Sequence, residues 1–439
     1  MFLIVKKLIY LIFLLNYNNI MDSTMNINMN NQPILNIGML GSVSDGKSTC
    51  VRVLTGVKTQ RHSSEKTRNI TIKPGYANMK IWTDGTKRYS TDSKPTSYIT
   101  KDTEKECVLE NHVSFVDCPG HQELILTMLG SIKLMNAVIV VVSAADPIKK
   151  KPQLIQHLAA IKLSGIKNII VCLNKLDLVN KETAVERYAE LVDTLKTFGI
   201  KPKVIIPTSF NKNIGIDWLL EEVMNHFTLD ETDEAPACFM ATRSFDINKA
   251  GDSFNDIKGG VIGGSLFNGT LNINDEIEIR PGICGRSRDG KLISQPIITK
   301  ALSFKTDQEE LDTIAPGGLI GIGTDIDPYY CKDDLLAGNM IGLKGTLPSV
   351  YESVELNFKL ISDFDGDWTP KVKDVMNLQI GTLSISSEIT LVNKKTIKLK
   401  LSRPGCIDKK MMIMISHKEE GIMKIVASGT LKSGTKIVD

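Results

Sequence analysis

Cysteine is scarce: the chain has eight in 439 residues, and no two of them stand as C-x-x-C. That excludes a disulfide-stapled mini-scaffold and offers no zinc-ligand spacing, so reduced, intracellular thiols and no zinc site are expected. An excess of one charge is also missing. Lysine and arginine number 53 against 50 aspartates and glutamates, 53 − 50 = +3, which by itself does not point to a nucleic-acid partner. No tandem repeat is visible. The apolar run near the start, residues 8–15, is too short to cross a bilayer. What is present is 42% hydrophobic and 23% charged residues, with mean hydropathy −0.03. Such a chain folds, and its length corresponds to about three domains.

The first 20 residues differ from the rest: 15 are apolar or aromatic, and the only charges are Lys6 and Lys7. The positive start and short apolar run have the form of a signal peptide, but no A-x-A-like cleavage site follows. Three readings stay open: an extension outside the mature protein with Met21 as its start, a targeting signal, or a membrane-surface anchor. The first is favoured, because Phe, Leu, Ile, Tyr, Asn and Lys all have AT-rich codons. Residues 1–32 are therefore set apart as an N-terminal extension.

From residue 33 to 234, short apolar runs alternate with helical periodicity. Strands are expected at 34–40, 113–116, 137–142, 168–173 and 204–207, and helices at 47–54, 153–163, 181–198 and 216–226. This alternation predicts a doubly wound, mostly parallel α/β sheet, interrupted by a polar and mobile insertion at 84–111. An acidic linker, 230–234, ends it. Beyond it, short β-rich runs between glycine-bearing turns predict two all-β barrels, 235–346 and 347–439, with the break near residues 345–348.

Gly41-Ser-Val-Ser-Asp-Gly46-Lys47-Ser48 matches G-x-x-x-x-G-K-[ST] between an expected strand and an expected helix. There the glycines let backbone N–H groups wrap a phosphate. Lys47 reaches the β- and γ-phosphates, and the Ser48 hydroxyl can ligate Mg²⁺. Ser44, Asp45, Gly46, Lys47, Ser48 and Thr49 are the candidate phosphate contacts. Asp117-Cys-Pro-Gly120-His121 ends an apolar strand, so that Asp117 can hold the metal through water and the Gly120 N–H can meet a γ-phosphate. Asn174-Lys175-Leu-Asp177 follows another strand; the Asp177 carboxylate can accept from guanine N1–H and the 2-amino group, an arrangement adenine does not offer. Ser209 and Phe210 stand where a loop can close over the base. Thr71, in Arg68-Asn-Ile-Thr71-Ile, falls where a first switch belongs and can complete the Mg²⁺ shell. His121 can orient an attacking water. His157, on an expected helix with Leu158 and Ile161, reads as a packed or capping residue. Four elements in this order predict a guanine-nucleotide (GTP/GDP) domain with Mg²⁺.

On these residues the chain resembles the gamma subunit of eukaryotic and archaeal translation initiation factor 2, among the translational GTPases. The stretches that carry the resemblance include His112-Val-Ser-Phe-Val-Asp-Cys-Pro-Gly-His121, Gly75-Tyr-Ala-Asn, Arg243-Ser-Phe-Asp-Ile-Asn-Lys and Lys258-Gly-Gly-Val-Ile-Gly-Gly-Ser265. Elongation factor Tu shares the switch and base motifs but not the last two. The resemblance implies a GTP-binding domain followed by two β-barrels. It also implies a cytoplasmic GTPase, slow alone, that carries methionyl initiator tRNA to the small ribosomal subunit in the GTP state. Implied partners are alpha and beta subunits, an activating factor and a nucleotide-exchange factor, with no membrane. Tyr76 takes the position that lies near the tRNA acceptor end in that family.

Several positions depart from the family pattern. Ser42 and Asp45 replace two histidines of the phosphate loop, and Asp45 is expected to set a carboxylate beside the phosphates and weaken binding. That substitution leaves open a divergent scaffold with an eroded switch; an elongation-type carrier of a different aminoacyl-tRNA is the other alternative. Residues 144–151, ending in Lys149-Lys-Lys151, replace a less basic loop. Of a cysteine zinc knuckle that many members carry in the insertion, only Cys107 remains. Charge is also unevenly spread. Residues 391–439 hold 11 basic against 4 acidic residues, 11 − 4 = +7, so the rest of the chain from Met21 sums to −6. A basic terminal barrel is a candidate contact for RNA phosphates.

The base assignment generates a test. Asp177→Asn removes the acceptor pair for guanine and is expected to shift relative affinity from GTP towards XTP by about tenfold or more. Competition binding measures it, and an unchanged GTP/XTP ratio would argue against the assignment.

Overall fold

Runs of β-branched residues build the first sheet, and their alternation decides which face each side chain enters. The computed structural model describes residues 31–59, 71, 73–228, 235–249, 251, 253–307, 309–361 and 368–437. Most of the N-terminal extension, Arg68 with residues 69, 70 and 72, and the linker 230–234 lie outside the described residues. The strands are β1 (Leu35–Leu40), β2 (Gly75–Thr83), β3 (Arg88–Thr91), β4 (Tyr98–Ile99), β5 (Glu106–Asp117), β6 (Ala137–Ser143), β7 (Asn168–Asn174) and β8 (Val204–Pro207). Their order is β3-β2-β5-β1-β6-β7-β8, with β4 paired to β5. Strands β5, β1, β6, β7 and β8 run parallel, while β2 is antiparallel to β5.

The helices are α1 (Lys47–Thr55), α2 (Ile125–Ile132), α3 (Pro152–Ser164), α4 (Lys181–Thr197) and α5 (Ile216–His226). Along β6, Ala137, Ile139 and Val141 enter the core shared with Cys50, Val51 and Leu54 of α1 and with Leu219 and Val223 of α5. Val138, Val140 and Val142 enter the opposite core, with Met128 and Leu129 of α2, Leu158 of α3 and Leu195 of α4. A strand buried on both faces reads as a continuous apolar run, which explains its legibility in the sequence. Asn180 caps α4 by accepting from the Thr183 N–H at 2.9 Å. Pro152 opens α3 and Gly165, at φ 78°, closes it.

The insertion at 84–111, expected to be mobile, is instead built into the sheet edge. It supplies β3, β4 and the first half of β5, and its Tyr89 and Tyr98 rings stand 5.6 Å apart, with Trp82 6.3 Å from Tyr98. The Arg88 guanidinium donates to Glu110 at 2.6 Å and pairs with Glu221 of α5. Cys107 is buried. Aromatic stacking and ion pairs hold the excursion in place, a tertiary outcome that polar composition does not reveal.

Beyond residue 235 the chain forms an eight-stranded antiparallel sheet with a two-stranded ribbon, then a closed barrel of six strands between Val350 and Lys436. The three units contact one another. Gln32, counted above with the extension, is buried and donates to the carbonyls of Ala315 at 2.7 Å and Gly317 at 3.0 Å in the middle unit. Asn36 of β1 donates to Ser265 Oγ at 2.9 Å. Met414 and Ile425 of the barrel join the core of α2, α3 and α4. The Ile425 N–H donates to Gln156 Oε1 of α3 at 3.0 Å.

Candidate active site

Strand β1 has β5 on one side and β6 on the other, so the loop after it opens at the point where the sheet's connections change direction. In open parallel sheets, ligands bind at the strands' carboxyl ends at such a point. A cavity of about 360 Å³ lies there. Ser44, Gly46, Lys47, Ser48, Thr49, Thr71, Gly120, His121, Asn174, Lys175, Asp177, Ser209 and Phe210 line it, together with Val43 and Asn211, which sequence reasoning did not single out.

Left-handed backbone shapes the phosphate loop: Gly41 at φ 138°, Ser44 at 63° and Gly46 at 108°. A Cβ at Gly41 would stand 2.1 Å from the Val141 carbonyl oxygen, and one at Gly46 would stand 2.3 Å from Asn174 Nδ2. Only glycine fits either place. Helix α1 follows its N-cap Gly46 with no side-chain cap and no acidic residue in its own first turn. Lys47 Nζ donates to the carbonyls of Gly41 at 2.9 Å and Ser42 at 2.7 Å. Burial lowers its pKa, against the attraction of Asp117 and Asp45.

The Asp45 side chain does not stand where a carboxylate beside the phosphates was expected. It is not among the residues lining the cavity, and its carboxylate is buried. Oδ1 accepts from Lys151 Nζ at 2.7 Å, and Oδ2 accepts from the Ser42 N–H at 3.0 Å. The repulsion expected from a carboxylate beside phosphates does not follow, because the carboxylate is turned into the protein and paired.

Ser48, Thr71 and Asp117 come together. Ser48 Oγ donates to Asp117 Oδ2 at 2.6 Å and stands 3.4 Å from Thr71 Oγ1. Asp117, at the end of β5, lies behind the cavity lining; Thr59 Oγ1 also donates to its Oδ2 at 2.6 Å, a contact that sequence spacing does not signal. Two hydroxyls and a carboxylate are hard oxygen donors, the set that suits Mg²⁺ alongside substrate phosphates. Gly120 faces the loop so closely that a Cβ would meet Lys47 Nζ at 2.5 Å and Val43 N at 2.9 Å. His121, next in the chain, is exposed at the cavity.

On the far side, Asn174 ties two loops together. Its Nδ2 donates to the Asp45 carbonyl at 2.9 Å, and its Oδ1 accepts from the Phe210 N–H at 3.1 Å. Ser209 Oγ donates to Asp177 Oδ1 at 2.6 Å, which orients the carboxylate towards the cavity rim. Phe210 is buried among residues of α1 and α5, so its bulk fills the core rather than the place of a base. Tyr76 stands in β2 and packs against the core of α2, α3 and α4, and burial raises its pKa.

His157 turns out to support the site. The Gly41 N–H donates to its Nδ1 at 2.9 Å, and burial, with the Lys47 charge adding, lowers the imidazole to about 3. The neutral ring is what allows Nδ1 to accept. Its distance in sequence from Gly41 hid this role. Among the described residues there is no group of three His, Cys, Asp or Glu side chains able to hold a metal, and no helix is long and apolar enough to cross a membrane.

Comparison with known proteins gives consistent results. Residues 32–229 match the family model "Elongation factor Tu GTP binding domain", and residues 362–431 match "Initiation factor eIF2 gamma, C terminal". The chain is 37% identical over 426 residues to the eukaryotic translation initiation factor 2 subunit gamma of Schizosaccharomyces pombe, covering 91% of this chain and 95% of that one. It is 35% identical over 435 residues to subunit 3 of the same factor from Drosophila melanogaster, covering 92% and 90%. Among solved structures, a bacterial selenocysteine-specific elongation factor, EF-Sec, superposes with TM-score 0.69 at 19% identity; the match covers 91% of this chain and 58% of that longer chain. SelB from Methanococcus maripaludis with the GTP analogue GppNHp gives TM-score 0.68 at 18% identity, covering 93% and 80%. These two likenesses concern the fold.

The buried imidazole generates a pH prediction. His157 titrates near 6.5 when unfolded and about 3 when folded, so between those values the unfolded state binds more protons and stability falls as pH falls. From pH 6 to 5, His157→Gln is expected to flatten the loss of stability by up to about 1.4 kcal/mol per pH unit. Denaturant unfolding across that window checks it; equal slopes would show that the ring titrates normally.

Proposed function

The chain belongs to the gamma-subunit family of eukaryotic translation initiation factor 2, a guanine-nucleotide-binding translational GTPase, and from that premise we propose how its residues do the work. The observation that carries the reading is the single cavity edge on which Lys47, Ser48, Gly120, Asn174 and Asp177 meet.

In this reading, Lys47 and the backbone N–H groups of residues 44–49 hold the β- and γ-phosphates, with the N-terminus of α1 adding positive potential. Asp177 and Asn174 select guanine, Lys175 flanks the base, and Ser209 fixes the Asp177 carboxylate that reads it. Ser48, Thr71 and Asp117 would hold Mg²⁺, and the ion would neutralise charge on the phosphate oxygens when bound. The Gly120 N–H meets the γ-phosphate, and His121, exposed beside it, orients the attacking water. Thr71 and Gly120 gain contacts to the metal and the γ-phosphate only in the GTP state, so hydrolysis removes those contacts from both segments.

Downstream of this switch, the proposed activity is GTP-dependent delivery of methionyl initiator tRNA to the small ribosomal subunit, within a heterotrimer with alpha and beta subunits. An activating protein and a nucleotide-exchange factor set its timing. The middle unit, which touches β1 through Asn36 and Ser265, would report the nucleotide state to the tRNA. The lysine-rich terminal barrel offers phosphate contacts.

The test compares initiator methionyl-tRNA with elongator aminoacyl-tRNAs in GTP and in GDP. Initiator tRNA is expected to bind about tenfold or more tightly in GTP than in GDP, and more tightly than any elongator. A preference for elongator species would reverse the assignment.

A further inference from the structure

Two departures from the family pattern, an acid in the phosphate loop and a basic segment at 144–151, meet in the folded chain. Asp45 and Lys151 form an ion pair at 2.7 Å, with side chains 2% and 9% exposed. Lys151 Nζ also donates to the Ser143 carbonyl at the end of β6, 3.2 Å away. The same Asp45 carboxylate accepts the Ser42 N–H, and the Asp45 carbonyl accepts from Asn174. One residue of the loop is thereby tied to β6, to the segment leading into α3 and to the guanine-side asparagine.

Residue 45 immediately precedes Gly46, which lines the cavity. Without a counter-charge, a buried carboxylate is strongly disfavoured, and the cavity that Gly46 lines offers it solvent. There it would oppose the phosphates. We propose that Lys151 is a positioning residue for nucleotide binding: by pairing with Asp45 it holds that carboxylate off the phosphate-binding surface and keeps an acid-bearing phosphate loop competent. The inference rests on the nucleotide site described above. Lys151 touches no substrate in this account; it acts through Asp45.

A double-mutant cycle on the full chain tests the proposal, with thermal midpoints recorded alongside the affinity for fluorescent GDP and GTP. Lys151→Met is expected to weaken both nucleotides by about tenfold or more, because Asp45 loses its counter-charge. Asp45→Asn combined with Lys151→Met is expected to return to within about threefold of Asp45→Asn alone, since no charge is left to misplace. Lys151→Arg, which keeps the charge, is expected to rescue binding. Lys151→Met within threefold of the parent, or a double variant as weak as the single, overturns the proposal; so does a fall in thermal midpoint with affinity unchanged. Where Lys151→Met does not fold, Asp45→Asn is compared with the double variant. Equal affinities support the proposal, and a tenfold loss on removing Lys151 without Asp45 overturns it. Failure of the unsubstituted chain to bind GDP or GTP would sink the nucleotide reading itself, a separate result.

Discussion

Close approach of three strand-end loops is the constraint on which the site depends. At Gly41, Gly46 and Gly120, an added Cβ would stand within 2.5 Å of the Val141 carbonyl, the Asn174 amide and the Lys47 ammonium, respectively. No side chain can stand at these points without moving a neighbour. The loops after β1, β5 and β7 are therefore set relative to one another by contact, and the sheet beneath them cannot slip because β6 and β7 are buried along their whole length. A parallel sheet whose connections reverse at β1 brings those ends to one edge. The residues that line the cavity inherit their spacing from that packing.

Charge is balanced within the same small volume. Lys47, Lys151, Asp45 and Asp117 are all buried, and His157 is kept neutral among them. Each ionised group has a counter-charge or a set of hydrogen bonds: Asp45 has Lys151, Asp117 has two hydroxyls, and Lys47 has two carbonyls. Burial makes such partners necessary, because an uncompensated charge there is strongly unfavourable. It also explains why residues outside the signature motifs, Thr59 and Lys151, belong to the site's supporting structure.

Helix α3 links that site to the terminal barrel. The segment leading into it carries Lys151, its His157 accepts from the phosphate loop, and its Gln156 accepts from the Ile425 N–H of the barrel. Helix α2, which follows Asp117-Cys-Pro-Gly120, presents Gly130 to Gln379 and Thr382 of the same barrel. Both helices thus touch the terminal barrel. A change at the loop has short, packed routes to the rest of the molecule.

Much of this was legible in the linear chain. Local spacing carries chemistry when the residues that act together are neighbours, as in Gly41–Ser48, Asp117–His121 and Asn174–Asp177. Fully buried strands such as β6 announce themselves as unbroken apolar runs. The sequence by itself thereby determined the sheet type and the family, and it named most of the residues that the fold gathers around one cavity. Tertiary structure alone decided which way side chains point and which distant residues meet. It turned Asp45 inward to Lys151, 106 positions away, sent the bulk of Phe210 into the core, and anchored the polar excursion through Arg88 and stacked rings. Composition reports that a group is charged or bulky; only the packed fold specifies what surrounds it, and those surroundings fix its energy.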